Sequence, residues 1–155
     1  MQKVLILGAG KIGALISGLL GDAGDYDVQI ADANGDAARS VAEKHDVDNV
    51  RAFELDATDS EALTAHVKRE RPVALISSLP FYCNPAVAAV ARAESLHYFD
   101  LTEDVSVTEA VREQAQGAST AFVPQCGLAP GFISIAANEL ISHFDEVHAV
   151  NLRVG

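Results

Sequence analysis

The chain has 155 residues, with 11 basic against 22 acidic side chains for a formal charge of −11, and it is 49% hydrophobic and 21% charged. That length suits one domain, and the apolar share can build a core, which excludes a disordered chain. The acidic excess argues against a nucleic-acid partner, and no apolar run approaches the roughly 20 residues of a membrane span. Residues 4–7 read as a buried strand, and residues 11–23 then place Ile12, Leu15, Ile16, Leu19 and Leu20 on one helical face. Residues 28–31 form a second strand ending at Asp32, and residues 35–45 a short helix behind the Asn34-Gly35 turn. Residues 50–55 are a third strand. Thr58-Asp59-Ser60-Glu61 has the spacing of a capping box and opens a helix to about Arg69, which Pro72 stops.

Residues 73–77 make a fourth strand. Asn84-Pro85 starts the next helix with a capping side chain and a first-turn proline, and the alanine-rich stretch 86–93 can lie close on a sheet. Residues 97–101 are a fifth strand, Ser106-Val107-Thr108-Glu109 a second capping box opening a helix to about Gln116, and residues 121–124 a sixth strand. A helix over 131–143 spaces Phe132, Ile135, Ala136, Leu140 and Phe144 along one side, and residues 147–154 alternate as a last strand. Alternating strands and helices imply parallel pairing with right-handed crossovers, and near-continuous apolar strands imply cover on both faces. The expected fold is α/β, a doubly wound parallel Rossmann sheet with helices on both faces and strand order 3-2-1-4-5-6.

The sharpest motif is Gly8-Ala9-Gly10-Lys11-Ile12-Gly13, between a strand and a helix. Gly8 makes the tight turn, Gly10 lets the backbone approach a pyrophosphate, and Gly13 lets helix and strand pack closely. The phosphates would sit on the free N–H groups and positive end of the helix. Asp32 stands 19 residues after Gly13, at a strand end, where a carboxylate binds ribose hydroxyls and repels a 2′-phosphate. No arginine follows it directly, Ala33 and Asn34 standing there instead, so NAD is favoured, with NADP as the other choice. Topology puts Asp56 and Ala57 by the adenine, and Ser77, Ser78, Leu79 and Pro80 by the nicotinamide-side ribose.

Other chemistries fail on spacing. Gly10-Lys11 is followed by Ile12, so there is no phosphate-binding P-loop. Tyr26, Tyr82 and Tyr98 are followed four residues on by Ile30, Ala86 and Thr102, never by lysine, and no Gly-x-Ser-x-Gly occurs. Cys83 and Cys126 are far apart, and the five histidines never pair at i, i+4; neither a disulfide framework nor a metal site is expected. The apolar N-terminal stretch is too short for a secretory signal, and cysteine usage fits a cytoplasmic protein.

Two later segments fall on the same strand-end edge: His97-Tyr98-Phe99-Asp100-Leu101-Thr102-Glu103-Asp104 and Pro124-Gln125-Cys126-Gly127-Leu128-Ala129-Pro130-Gly131-Phe132. Gly127 and Gly131 bracket a tight loop, with Leu128, Ala129 and Pro130 between them, whose N–H groups can face a nicotinamide or a substrate. Asp100, Thr102, Glu103 and Asp104 are the candidates for the proton transfer that hydride chemistry at an imine requires. Together with the first glycine motif, Tyr98-Phe99-Asp100-Leu101-Thr102 and Cys126-Gly127-Leu128-Ala129-Pro130-Gly131 resemble the saccharopine dehydrogenase-like family, which includes lysine and carboxynorspermidine dehydrogenases. The resemblance runs from Val4 to about Val154.

It implies an NAD(P)-binding domain of an oxidoreductase acting on a CH–NH bond of an amino acid or a polyamine precursor. It also implies a second domain that shares the amino-acid-like substrate and forms a homodimer. On that expectation residues 1–145 are the dinucleotide domain, residues 146–155 lead into the further domain, and the 155 residues alone turn nothing over. Exposed Val147, Val150 and Leu152 would pair between copies. The competing reading is a nucleotide-sensing regulatory domain of the potassium-transport type. Asp56-Ala57-Thr58 fits that reading; the loop from Cys126 to Gly131 does not.

Overall fold

The computed structural model describes residues 1–45 and 47–153. Six parallel strands form one sheet: β1 (Gln2–Leu7), β2 (Tyr26–Asp32), β3 (Val50–Glu54), β4 (Ala74–Ser77), β5 (His97–Asp100) and β6 (Phe122–Val123). Their order is β3-β2-β1-β4-β5-β6, the doubly wound order expected from the alternation of elements. The helices are α1 (Lys11–Ala23), α2 (Gly35–Lys44), α3 (Ser60–Glu70), α4 (Asn84–Ala93), α5 (Val105–Ala115) and α6 (Phe132–Ile141). No helix among the described residues is long and apolar enough to cross a membrane.

Strand side chains alternate between two cores. Leu5, Leu7, Leu75 and Tyr98 face one side, where Leu63 and Val67 of α3, Val87 of α4 and Val111 of α5 pack on them. Val4, Ile6, Val28 and Ile30 face the other side, beneath Val41 of α2 and half-buried Ala14, Ile16 and Leu20 of α1. Each fully buried leucine contributes about 1.5–3 kcal/mol. In-register pairing sets Leu7, Ser77 and Asp100 abreast at the carboxyl ends of three strands, so the sheet itself assembles the edge.

The helix α1 departs from its expected orientation. The residues it buries are Gly13, Ser17, Gly18 and Gly21, while Ile12, Leu15 and Leu19 stay exposed, Leu19 at 63%. Close approach decides the docked face: a Cβ on Gly18 would come within 2.6 Å of the His45 ring, and one on Gly21 within 2.8 Å of Val50. The caps also move. Asp59, not Thr58, caps α3 by accepting from Glu61 and Ala62 N–H, and Asp104, not Ser106, caps α5. A carboxylate accepts better than a hydroxyl and suits the positive helix end. Asn84 caps nothing; a 3-10 turn, Phe81–Cys83, leads into α4, and the Asn84 side chain turns inward to Ser77.

The expected strand over 147–154 is absent among the described residues 147–153, and Val154 lies outside them. A strand needs a paired neighbour, and β6, two residues long, offers little ladder. The helix α6 forms, but it buries no residue, and Phe132, Ile135, Leu140 and Phe144 are all exposed.

Candidate dinucleotide site

The glycine turn between β1 and α1 is held from three directions. Gly8 has φ +99°, a backbone region that favours glycine, and Ser78 closes on it. The Ser78 hydroxyl donates to the Leu7 and Gly8 carbonyls, each at 2.9 Å, and its N–H donates to Leu7 O at 2.8 Å. A Cβ on Gly13 would collide with the Gly8 carbonyl, so this glycine sets the helix-to-turn distance. Gly10 differs from both, since a Cβ there would meet nothing within 4 Å. The space over Gly10 is open to an incoming group.

The helix begins at Lys11 with no side-chain cap on Gly10 and no acid in its first turn. The first backbone bond onto Gly10 O comes from Ala14, which leaves the N–H groups of Lys11, Ile12 and Gly13 without a helical acceptor. Three free N–H groups, the helix dipole and the exposed Lys11 make this end locally favourable to an anion on a chain of charge −11. Asp32 borders it. Its Oδ2 accepts from Ala9 N–H at 2.8 Å and its Oδ1 from Asn34 N–H at 2.8 Å, so one carboxylate ties the glycine turn to the start of α2. Each oxygen keeps a lone pair for a ribose hydroxyl.

The remaining sequence candidates divide. Asp56 accepts from the Thr58 hydroxyl at 2.6 Å and from Thr58 N–H at 2.9 Å, bonds that hold its carboxyl below the usual range. Ala57 is buried in the core, so only its backbone can reach a ligand. Ser77 is buried and donates to Asn84 Oδ1 at 2.7 Å; its hydroxyl is committed to the interior. Leu79 packs on the core and Pro80 is exposed ahead of the 3-10 turn. At the second loop Gly131 has φ +126°, Gly127 pairs with it, and the Phe132 and Ile133 N–H groups donate to Gly127 and Leu128 carbonyls. These two helix N–H groups therefore close the loop on itself. Leu128 is exposed, and Ala129 and Pro130 are half-buried.

Three of the four proton-transfer candidates are already engaged within the fold. Asp100 is 0% exposed and accepts from Tyr98 OH at 2.8 Å, Thr102 N–H at 2.9 Å and Gln125 N–H at 3.2 Å, so its carboxylate is engaged inside the fold. Thr102 is buried, and its hydroxyl accepts from Asp104 N–H at 3.1 Å. Asp104 is spent on the α5 cap; the Ser106 hydroxyl and Val107 N–H hold its carboxyl low, which makes it a poor proton donor. Glu103 alone is exposed, on a concavity it shares with Phe81, Leu101 and Val105. Sequence reasoning missed Asn84 as a part of this edge and the Gln125 N–H as a partner of Asp100. A polar Asn84 facing the apolar helix 86–93 was the available signal for the first; Gln125, at φ +65°, gave none.

Comparison with known proteins agrees with this fold. The Saccharopine dehydrogenase NADP binding domain family matches residues 4–123, more than half of the chain. Saccharopine dehydrogenase (L-Glu forming) from Saccharomyces cerevisiae superposes with a TM-score of 0.79 at 22% identity, over 92% of this chain and 31% of that one. The UDP-N-acetylglucosamine 3-dehydrogenase GnnA from Acidithiobacillus ferrooxidans gives 0.64 at 21% identity, over 92% and 42%. The Bordetella bronchiseptica enzyme WbmG in complex with NAD gives 0.56 at 15%, over 79% and 51%. These likenesses show the fold, and the chain spans about a third to a half of each protein's length. Between the two readings the sequence left open, the family match selects the dehydrogenase type over the nucleotide sensor. The chain belongs to the saccharopine dehydrogenase NADP binding domain family and is an NAD(P)-binding Rossmann domain of the kind dehydrogenases carry.

Proposed function

We propose that this domain serves an oxidoreductase that moves hydride between a nicotinamide dinucleotide and a CH–NH bond of an amino acid or a polyamine precursor. The observation that carries the reading is the uncapped start of α1, open above Gly10 and bordered by Asp32, in a chain of this family. The N–H groups of Lys11, Ile12 and Gly13 take the pyrophosphate, and Asp32 takes the adenosine ribose. Asp56 and the Ala57 backbone border the adenine. Ser78, Leu79 and Pro80 and the loop 127–131 border the nicotinamide half. The bound cofactor supplies the hydride acceptor or donor, while the protein orients it and excludes water.

The family description names NADP. The Asp32 carboxylate supports NAD, because a 2′-phosphate would meet a like charge there. Arg39, the nearest arginine beyond Asp32 in the sequence, is already paired with Asp36. Glu103 is the remaining candidate for proton transfer. The substrate pocket and a homodimer interface lie with a second domain, the protein works in the cytoplasm, and the 155 residues alone are inactive. Calorimetric titration with NAD+ and NADP+ tests the cofactor: tighter binding of NADP+ overturns the preference. Turnover of any amino acid by the 155-residue chain overturns the inactivity.

A further inference from the structure

Asp100 is a buried carboxylate without a cation. Every group facing it is a donor: the Tyr98 hydroxyl and the N–H groups of Thr102 and Gln125. None of the ion pairs among the described residues includes it. Its own carbonyl accepts from Cys126 N–H at 2.8 Å. The end of β5 is thereby tied to both loops of the second half of the edge, 101–104 and 124–131.

Hydrogen bonds satisfy this group but do not remove its charge, and burial leaves little water to screen it. Its field reaches the neighbours that titrate. The Tyr98 hydroxyl and the Cys126 thiol are both pushed up, first by burial and then by the Asp100 charge. Cys126 stands on the loop that borders the edge.

Ligands of open α/β sheets bind beyond the carboxyl ends of the strands, near the switch between β1 and β4. With the adenosine on the β2 side, the nicotinamide falls toward β4, β5 and β6. The dinucleotide changes charge at that end alone: the ring is cationic when oxidised and neutral when reduced. A fixed negative charge on that side favours the oxidised form. We propose that Asp100 is a positioning residue of the cofactor site, fixing the 101–104 and 124–131 loops and, through its buried charge, favouring the oxidised dinucleotide over the reduced one. This rests on the reading that the nicotinamide half lies on the β4–β6 side.

Asp100→Asn separates charge from shape. The amide oxygen accepts both backbone N–H groups, and the amide nitrogen donates to the Tyr98 hydroxyl, which turns to the Asn84 carbonyl 3.5 Å away. Dissociation constants for NAD+ and NADH are measured by calorimetry on the wild type and the variant, with amide exchange at Gln125 and Cys126 as a readout of the loop. The expected result is NAD+ weakened by about three- to tenfold with NADH within about twofold. Equal weakening of both forms, the mark of a merely structural role, overturns the proposal. Asp100→Ser, which keeps an acceptor and admits water, must shift the same ratio in the same direction; an unchanged ratio in either folded variant overturns it. A wild type that binds neither form removes both this inference and the cofactor placement, whereas binding without a shifted ratio removes only this inference.

Discussion

Two strand–glycine–helix turns sit on the same edge of the sheet and are built differently. The first, at residues 8–13, is clasped by Ser78 just past β4 and by Asp32 from β2, and its helix lies against the sheet through a glycine–serine stripe. The second, at 127–131, is held by its own backbone and by the Asp100 bonds just behind it, and α6 buries nothing. A glycine turn becomes a rigid binding element when packed structure stands behind it. The first turn has that support within this chain, and the second rests on one buried side chain.

Substitutions test the contrast. Gly13→Val puts a side chain onto the Gly8 carbonyl and is expected to cost more than about 3 kcal/mol or prevent folding, read by urea unfolding. Asp32→Ala removes two bonds to a charged acceptor and should cost about 1.5–3 kcal/mol, weaken NAD+ binding and speed amide exchange at Ala9. Unchanged exchange there would mean that Asp32 does not hold the turn.

A pH dependence probes the interior beneath α3. His66, 3% exposed, touches Gln29 of β2 and stands edge-on to Phe53 of β3 at 4.8 Å. Arg69 donates to its Nδ1 at 3.0 Å. Burial, and then the Arg69 charge, lower its pKa from the ordinary 6.5; Glu70 opposes this weakly. The folded state thus binds a proton less readily than the unfolded one. This contribution is complete above about pH 6.5 and is lost as pH falls from there through the lowered folded value. His66→Gln should flatten that slope in pH-resolved thermal unfolding. The smallest effect on global stability is expected at Gly131→Ala: the new Cβ meets the Gly127 carbonyl and forces the second loop out of its turn, but α6 buries nothing, so the loop and α6 give way locally at less than about 1 kcal/mol, with faster exchange confined to them. A loss as large as that of Gly13→Val would break the contrast between the turns.

Much of the first half of the site is legible in the sequence, because its chemistry is local. A glycine spacing after an apolar run and an acid at the next strand end suffice to place Gly8, Gly10, Gly13 and Asp32. The docked face of α1 is not legible from apolar periodicity, since Gly13, Ser17, Gly18 and Gly21 are selected by closeness rather than by hydrophobicity. Asp100 reads as an available acid until the fold brings Gln125 to it across 25 residues. The caps at Asp59 and Asp104 each stand beside a rival Ser or Thr, and only backbone geometry decides between them. The segment 147–153 alternates like a strand, but pairing is a property of the neighbour.

The glycines of α1 also bear on the order of assembly. Gly13, Gly18 and Gly21 each cost the helix about 1 kcal/mol against alanine, so α1 is a weak helix by itself. Its stability comes from docking on strands that must already be paired. The clasp on Gly8 waits longer still, for Ser78 to bond Leu7 across 71 residues. During synthesis the anion cradle is therefore among the earliest sequence to emerge and among the last structure to form, and a dinucleotide can be captured only by a chain that has completed β4.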